Sequence, residues 1–153
     1  MRIIAIIQAR MTSTRLPGKI MKNLSGKPML WHVVKRVMAA TRIDEIVIAT
    51  TTNPTDDPVD ALANEMKVSV FRGDENNVLE RYFLAAKKFK ATHIVRITSD
   101  CPLIDYRVID DVVEAHLDSS ADYTSNTLER TYPRGMDVEV FTIDALGEAN
   151  ERA

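Results

Sequence analysis

The sequence predicts an α/β protein built on an open, mainly parallel sheet with helices on both faces. Two observations lead there. Short, largely unbroken apolar runs rich in Ile and Val recur along the 153 residues. A segment with a helical apolar stripe follows each run. A run apolar throughout is buried on both faces, as a parallel strand is. A chain of this length can bury a sizeable core, so residues 1–153 are expected to form a single domain.

Arg2 to Gln8 is the first buried strand. Pro28 to about Ala40 is a helix with proline in its first turn and Met29, Leu30, Val33, Val34, Val37 and Met38 on one stripe. Glu45 to Thr51 is a second strand. Asp57-Pro58 reads as an N-cap followed by proline, opening a helix with Val59, Leu62, Ala63 and Met66 inward. Val68 to Phe71 is a short third strand. Asn77-Val78-Leu79-Glu80 reads as a capping box. His93 to Thr98 is a fourth strand, and Asp105 to Leu117 a helix. Tyr123 to Ser125 and Val138 to Phe141 are late strands, and a last helix starts at Ile143. Right-handed crossovers then place ligands beyond the carboxyl ends of the strands.

Charge is distributed unevenly. From Met1 to Ile43 there are nine Lys or Arg and no acid; the remainder holds eleven cations and all 22 acids, giving +9 and −11. Clustered cations repel one another unless an anion sits among them. The net charge of −2 argues against nucleic acid as a partner. A single cysteine, Cys101, has no partner in the chain and suggests a reducing, cytoplasmic setting. No apolar run approaches the ~20 residues of a membrane span, so no membrane partner is expected. An acid-free N-terminus also suits an organellar transit peptide. Its apolar residues run continuously, as in a strand, which speaks against that.

The first strand empties into a long basic loop, about Ala9 to Lys27, where such connections usually take 2–6 residues. Ser13 stands where a Walker A loop needs its first glycine and Ile20 follows Gly18-Lys19, so the loop is not of that type. Side chains must supply the phosphate grip. Arg10 offers a planar fork and Lys19 a movable point charge. Ser13 and Thr14 offer hydroxyl donors, and Pro17-Gly18 turns the chain so that Lys19 points inward. On charge alone, a solvated basic loop stands as the alternative.

This loop resembles a family signature. Ile7-Gln8-Ala9-Arg10-Met11-Thr12-Ser13-Thr14-Arg15-Leu16-Pro17-Gly18-Lys19, with Leu24-Ser25-Gly26-Lys27-Pro28-Met29-Leu30, is similar to the sugar-acid cytidylyltransferases. These include the acylneuraminate and 3-deoxy-manno-octulosonate enzymes and the spore coat polysaccharide biosynthesis (SpsF) branch. The likeness continues through Phe71-Arg72-Gly73, Val78-Leu79-Glu80-Arg81-Tyr82, Arg96-Ile97-Thr98-Ser99-Asp100-Cys101-Pro102-Leu103 and Gly135-Met136-Asp137-Val138-Glu139-Val140-Phe141. The resemblance implies a Rossmann-like fold of the nucleotide-diphospho-sugar transferase type that binds CTP. It implies that Arg10 and Lys19 contact the triphosphate, that backbone near Ala9 and Arg10 lies by the base, and that Asp100 holds Mg²⁺. It further implies a sugar-acid or modified-sugar substrate and a homodimer. The family's second metal aspartate lies farther toward the C-terminus. The chain stops within a helical segment, so a C-terminal part is expected to be missing; a frayed final helix is the alternative.

Asp100 follows the fourth strand, on the same rim as the basic loop. A carboxylate there suits Mg²⁺ against phosphate oxygens, or a turn capping Cys101-Pro102. Arg72 ends the third strand and either meets the nucleotide or lies on the solvated surface. Arg134, Asp137 and Glu139 lie where the family binds its sugar; Arg134 pairs either with a substrate carboxylate or with Asp137 or Glu139. Asp56 and Asp57 suit a substrate contact or a helix cap. Cys101 is a nucleophile or a small half-buried residue, and the three histidines show no ligand spacing.

The expected activity is Mg²⁺-dependent transfer of CMP from CTP to an acidic or modified sugar for a surface polysaccharide or glycan, with release of pyrophosphate. The alternatives are a non-catalytic nucleotide-binding module and a glycosyltransferase using a nucleotide sugar. The latter class usually carries an Asp-x-Asp pair, where this chain has Asp100-Cys101-Pro102.

Overall fold

The computed structural model describes all 153 residues. Strands β1 (Ile3–Gln8), β4 (Glu45–Thr51), β5 (Ser69–Gly73) and β6 (His93–Thr98) run parallel. With β7 (Tyr123–Ser125) and β8 (Glu139–Thr142) they form a six-stranded sheet in the order β5-β4-β1-β6-β8-β7. β8 runs antiparallel to both neighbours. β2 (Asn23–Leu24) and β3 (Lys27–Pro28) make a small separate hairpin.

Side-chain alternation splits the core into two layers. Ile3, Ala5 and Ile7 of β1 face helices α1 (Met29–Val37), α2 (Asp57–Met66) and α4 (Tyr106–Ser119). Ile4 and Ile6 face α3 (Val78–Lys88) and, with Ile94, the layer that includes Leu146 of α5 (Ile143–Arg152). All of β1 but Gln8 is buried, which explains its unbroken apolar run. β4 and β6 lie on opposite sides of β1, so the chain reverses direction across the sheet there. The crevice at that reversal is the general ligand position of open α/β sheets. No helix is long and apolar enough to cross a membrane.

Several helix starts depart from expectation. Asp57 is not the cap of α2 but its first residue. A single 3₁₀ turn, Pro54–Asp56, precedes it, and Asn53 caps that turn by accepting the Thr55 N–H at 3.0 Å. The capping box of α3 is half made: Asn77 accepts the Glu80 N–H at 3.0 Å, but the Asn77 N–H goes to Asp74 at 2.9 Å. Pro28 sits at the cap position of α1, and Met38 falls past its end and is exposed.

Candidate active site

The β1–β6 register sets the site. Gln8 lies opposite Thr98, so Arg10 and Asp100 each follow two residues beyond a paired strand end. The ladder extends one step further, with the Ala9 N–H donating to the Ala49 carbonyl at 3.0 Å. The loop then closes on itself. The Met11 carbonyl accepts N–H groups from Ser13 at 3.0 Å and Gly18 at 2.8 Å. Gly18 has φ +70°, a left-handed backbone that any side chain would strain, and it turns the chain into a 3₁₀ turn, Lys19–Met21. Ile20, 3% exposed, plugs that turn into the core. An apolar anchor beside Lys19 is what holds a flexible cation at a fixed place.

Between these parts lies a cavity of about 290 Å³. Arg10, Ser13, Thr14, Arg15 and Lys19 line it from the loop, and Thr98, Ser99 and Asp100 from the end of β6. Three cations against one carboxylate make it electropositive, and it sits at the carboxyl edge of the parallel strands. Lys19 Nζ donates to Asp100 Oδ2 at 2.8 Å. That hydrogen bond, and then the charge of Lys19, hold the Asp100 carboxyl below its ordinary value. Arg10 forms no ion pair with any acid of the chain. Burial pushes the Cys101 thiol upward, which disfavours the thiolate a nucleophile needs.

Other candidates lie elsewhere. Arg72 does not reach the cavity: its guanidinium donates to the Thr51 and Asn53 carbonyls at 2.7 and 2.9 Å and to Asp57 at 2.8 Å. It ties the end of β5 to the start of α2. Arg134 is exposed and pairs with neither acid proposed for it. Asp137 takes Arg130 at 2.9 Å, and Glu139 takes Arg96 and the Tyr123 hydroxyl, the latter at 2.6 Å. Glu139 lines a different, largely apolar cavity of about 480 Å³ beside α3 and α5. Asp56, read as substrate contact or cap, holds the cap position of α2 but makes no side-chain capping bond, and it does not line the cavity. Fully buried, it accepts the Met11 N–H at 2.7 Å and the Thr51 hydroxyl. Glu75, not singled out in the sequence, accepts the Thr12 hydroxyl at 2.6 Å. Its one signal was its place just past β5, on the same rim.

No group of three or more Asp, Glu, His or Cys side chains is arranged to hold a metal. Asp100 is a single carboxylate, 44% exposed at its side chain. Such a group suits Mg²⁺ only in the company of phosphate oxygens and water, the usual Mg²⁺ set.

Known proteins fit this geometry. Over 126 residues the chain is 40% identical to the spore coat polysaccharide biosynthesis protein SpsF of Bacillus subtilis, covering 80% of this chain and 52% of that one. Over 117 residues it is 33% identical to a 3-deoxy-manno-octulosonate cytidylyltransferase of Trichlorobacter lovleyi, covering 76% and 46%. The solved structure of a cytidylyltransferase from Leptospira borgpetersenii superposes with a TM-score of 0.96 at 37% identity, over 100% of this chain and 65% of that one. The chain thus spans about half the length of these two curated relatives. Residues 4–146 match the cytidylyltransferase family itself. With that match running from β1 into α5 and through every residue of the cavity, the chain belongs to the cytidylyltransferase family.

Proposed function

We propose that this protein transfers CMP from CTP to an acidic or modified sugar, with release of pyrophosphate, in the synthesis of a surface polysaccharide or glycan. The observation that carries this reading is the meeting of Arg10, Lys19 and Asp100 in one cavity at the ends of β1 and β6. Arg10 and Lys19 bind the triphosphate, and Ser13 and Thr14 donate hydrogen bonds to it. A hydroxyl of the acceptor attacks the α-phosphorus in line, the bond from that phosphorus to the oxygen bridging it to the β-phosphate breaks, and the hydroxyl's proton passes to solvent. Negative charge grows on the departing pyrophosphate, and the two cations are placed to neutralise it. Asp100 holds Mg²⁺ together with the phosphates; when bound, the ion adds electrostatic stabilisation of phosphate charge. Fixing both reactants in one orientation supplies the rest.

The test is a nucleotide screen with Mg²⁺ that measures pyrophosphate release across a panel of sugar acids, paired with calorimetric titration of each nucleotide. Tight binding of CTP and release with one acceptor are expected. Equal indifference to all nucleotides overturns the reading.

A further inference from the structure

Two acids that do not line the cavity hold the loop that does. We propose that Asp56 and Glu75 are positioning residues for nucleotide binding: they pin Met11 and Thr12, and so aim Arg10 and Lys19. The proposal rests on the nucleotide reading above.

Met11 is the crossing point of the loop. Its N–H is held by Asp56 Oδ1 at 2.7 Å, and its carbonyl holds the Gly18 N–H at 2.8 Å. Arg10 precedes that peptide and Lys19 follows Gly18, so one buried carboxylate governs both cations. Asp56 is itself fixed, because its second oxygen takes the Thr51 hydroxyl. The next residue is gripped from another element. Thr12 donates to Glu75 Oε1 at 2.6 Å, while Glu75 Oε2 takes the Asn53 side-chain amide at 3.1 Å. Glu75 stands on a stiff turn: Arg81, 1% exposed, donates to the Asp74 carbonyl at 2.5 Å, and the Asp74 carboxylate takes the Asn76 and Asn77 N–H groups.

The arrangement answers a physical difficulty. A loop with several cations and no acid of its own would splay in the free protein, and ordering it on binding would weaken affinity. Acids from the ends of β4 and β5 order it beforehand and leave its cations unpaired or loosely paired. The Thr12 hydrogen bond, then that of Asn53, holds the Glu75 carboxyl below its ordinary value, so it stays an acceptor at neutral pH.

The test uses CTP and inorganic tripolyphosphate as probes, titrated at a temperature where each variant is fully folded, with hydrogen exchange at the Met11 amide as a second readout. Asp56→Ala is expected to weaken both ligands by about 10-fold and to speed Met11 exchange. Asp56→Asn, whose amide oxygen still accepts that N–H, recovers most of the affinity. Thr12→Val, which removes only the grip of Glu75, weakens both by about 3- to 10-fold. A purely structural role would lower melting temperature without touching affinity in the folded state. Affinity within twofold of wild type in both Asp56→Ala and Thr12→Val overturns the proposal; if Asp56→Ala does not fold, Thr12→Val alone decides. A wild-type chain that binds neither ligand overturns the nucleotide reading first, and the positioning role with it.

Discussion

Lys19 and Asp100 form an ion pair, 2.8 Å from Nζ to Oδ2, across the mouth of the electropositive cavity. Under the proposed function, each is the group the other must release before it serves a nucleotide. The pair is partly exposed, and such pairs contribute only about 0.2–1 kcal/mol, so a triphosphate can open it at small cost. Lys19→Ala and Arg10→Ala should each weaken CTP binding by about 10- to 100-fold, the loss of one or two charged hydrogen bonds. The wild-type affinity should also fall steeply with added salt. Calorimetric titration at two ionic strengths checks both, and unchanged affinity in either variant removes the loop as the triphosphate site.

Asp100→Asn has effects of opposite sign depending on the metal. Without a divalent ion the variant frees Lys19, and CTP should bind more tightly than to wild type by about 2- to 5-fold, within the range such pairs are worth. With Mg²⁺ the order should reverse, because under the proposed function the variant lacks the carboxylate that would steady the ion. Titration of CTP with and without MgCl₂ separates the two. A variant whose affinity responds to Mg²⁺ as wild type does would demote Asp100 to a turn residue.

β1 and β4 were legible because burial on both faces leaves an unbroken apolar run, and β6 because Ile94, Val95 and Ile97 keep most of one around Arg96. The loop cations were legible because they cluster without acids between them. Partner choice was not. Glu139 meets Arg96 because the antiparallel β6–β8 register sets them opposite each other, a pairing between residues 43 apart in sequence. Asp137 chooses Arg130 over Arg134 within an irregular loop whose path no local pattern specifies. Asp56 read as a substrate contact or a cap and Glu75 went unnoticed, since their targets in the loop lie 45 and 63 residues away.

His93 and His116 stack edge to face with ring centroids 5.4 Å apart, and His116 is 1% exposed. Its Nδ1 lies 2.9 Å from the Thr124 hydroxyl. Burial, and then the neighbouring His93, hold the pKa of His116 below its ordinary value; burial does the same to His93. Between the folded and unfolded values the unfolded chain binds more protons, so stability rises with pH there. The contribution is complete above the unfolded value of about 6.5 and is lost as pH falls through the folded values. Melting temperature should therefore drop between pH 7 and pH 5. In His116→Gln the drop should be shallower, since an amide keeps the Thr124 contact without titrating. Parallel curves for the two proteins would place the acid sensitivity elsewhere.

Glu139 stands at the start of β8, with one carboxylate oxygen on Arg96 and the other on the Tyr123 hydroxyl. Both oxygens are thus engaged within the sheet, which leaves little for a substrate. Tyr82 lies beside them, its phenol pushed up to about 12 by burial, so that cavity gives an unpaired guanidinium poor solvation. Glu139→Ala should therefore cost about 1–3 kcal/mol, discounted toward the lower end because Arg96 keeps some exposure. For a chain of this size that lowers the melting temperature by about 2–8 °C. CTP affinity should stay within about twofold of wild type, because Glu139 is absent from the residues lining the cavity of Arg10, Lys19 and Asp100. An unchanged melting temperature with loss of acceptor use would reverse the assignment and make Glu139 a substrate contact. Replacing Arg96 together with Glu139 by apolar residues should recover part of the stability, since removing both members of a pair leaves no charge unpaired.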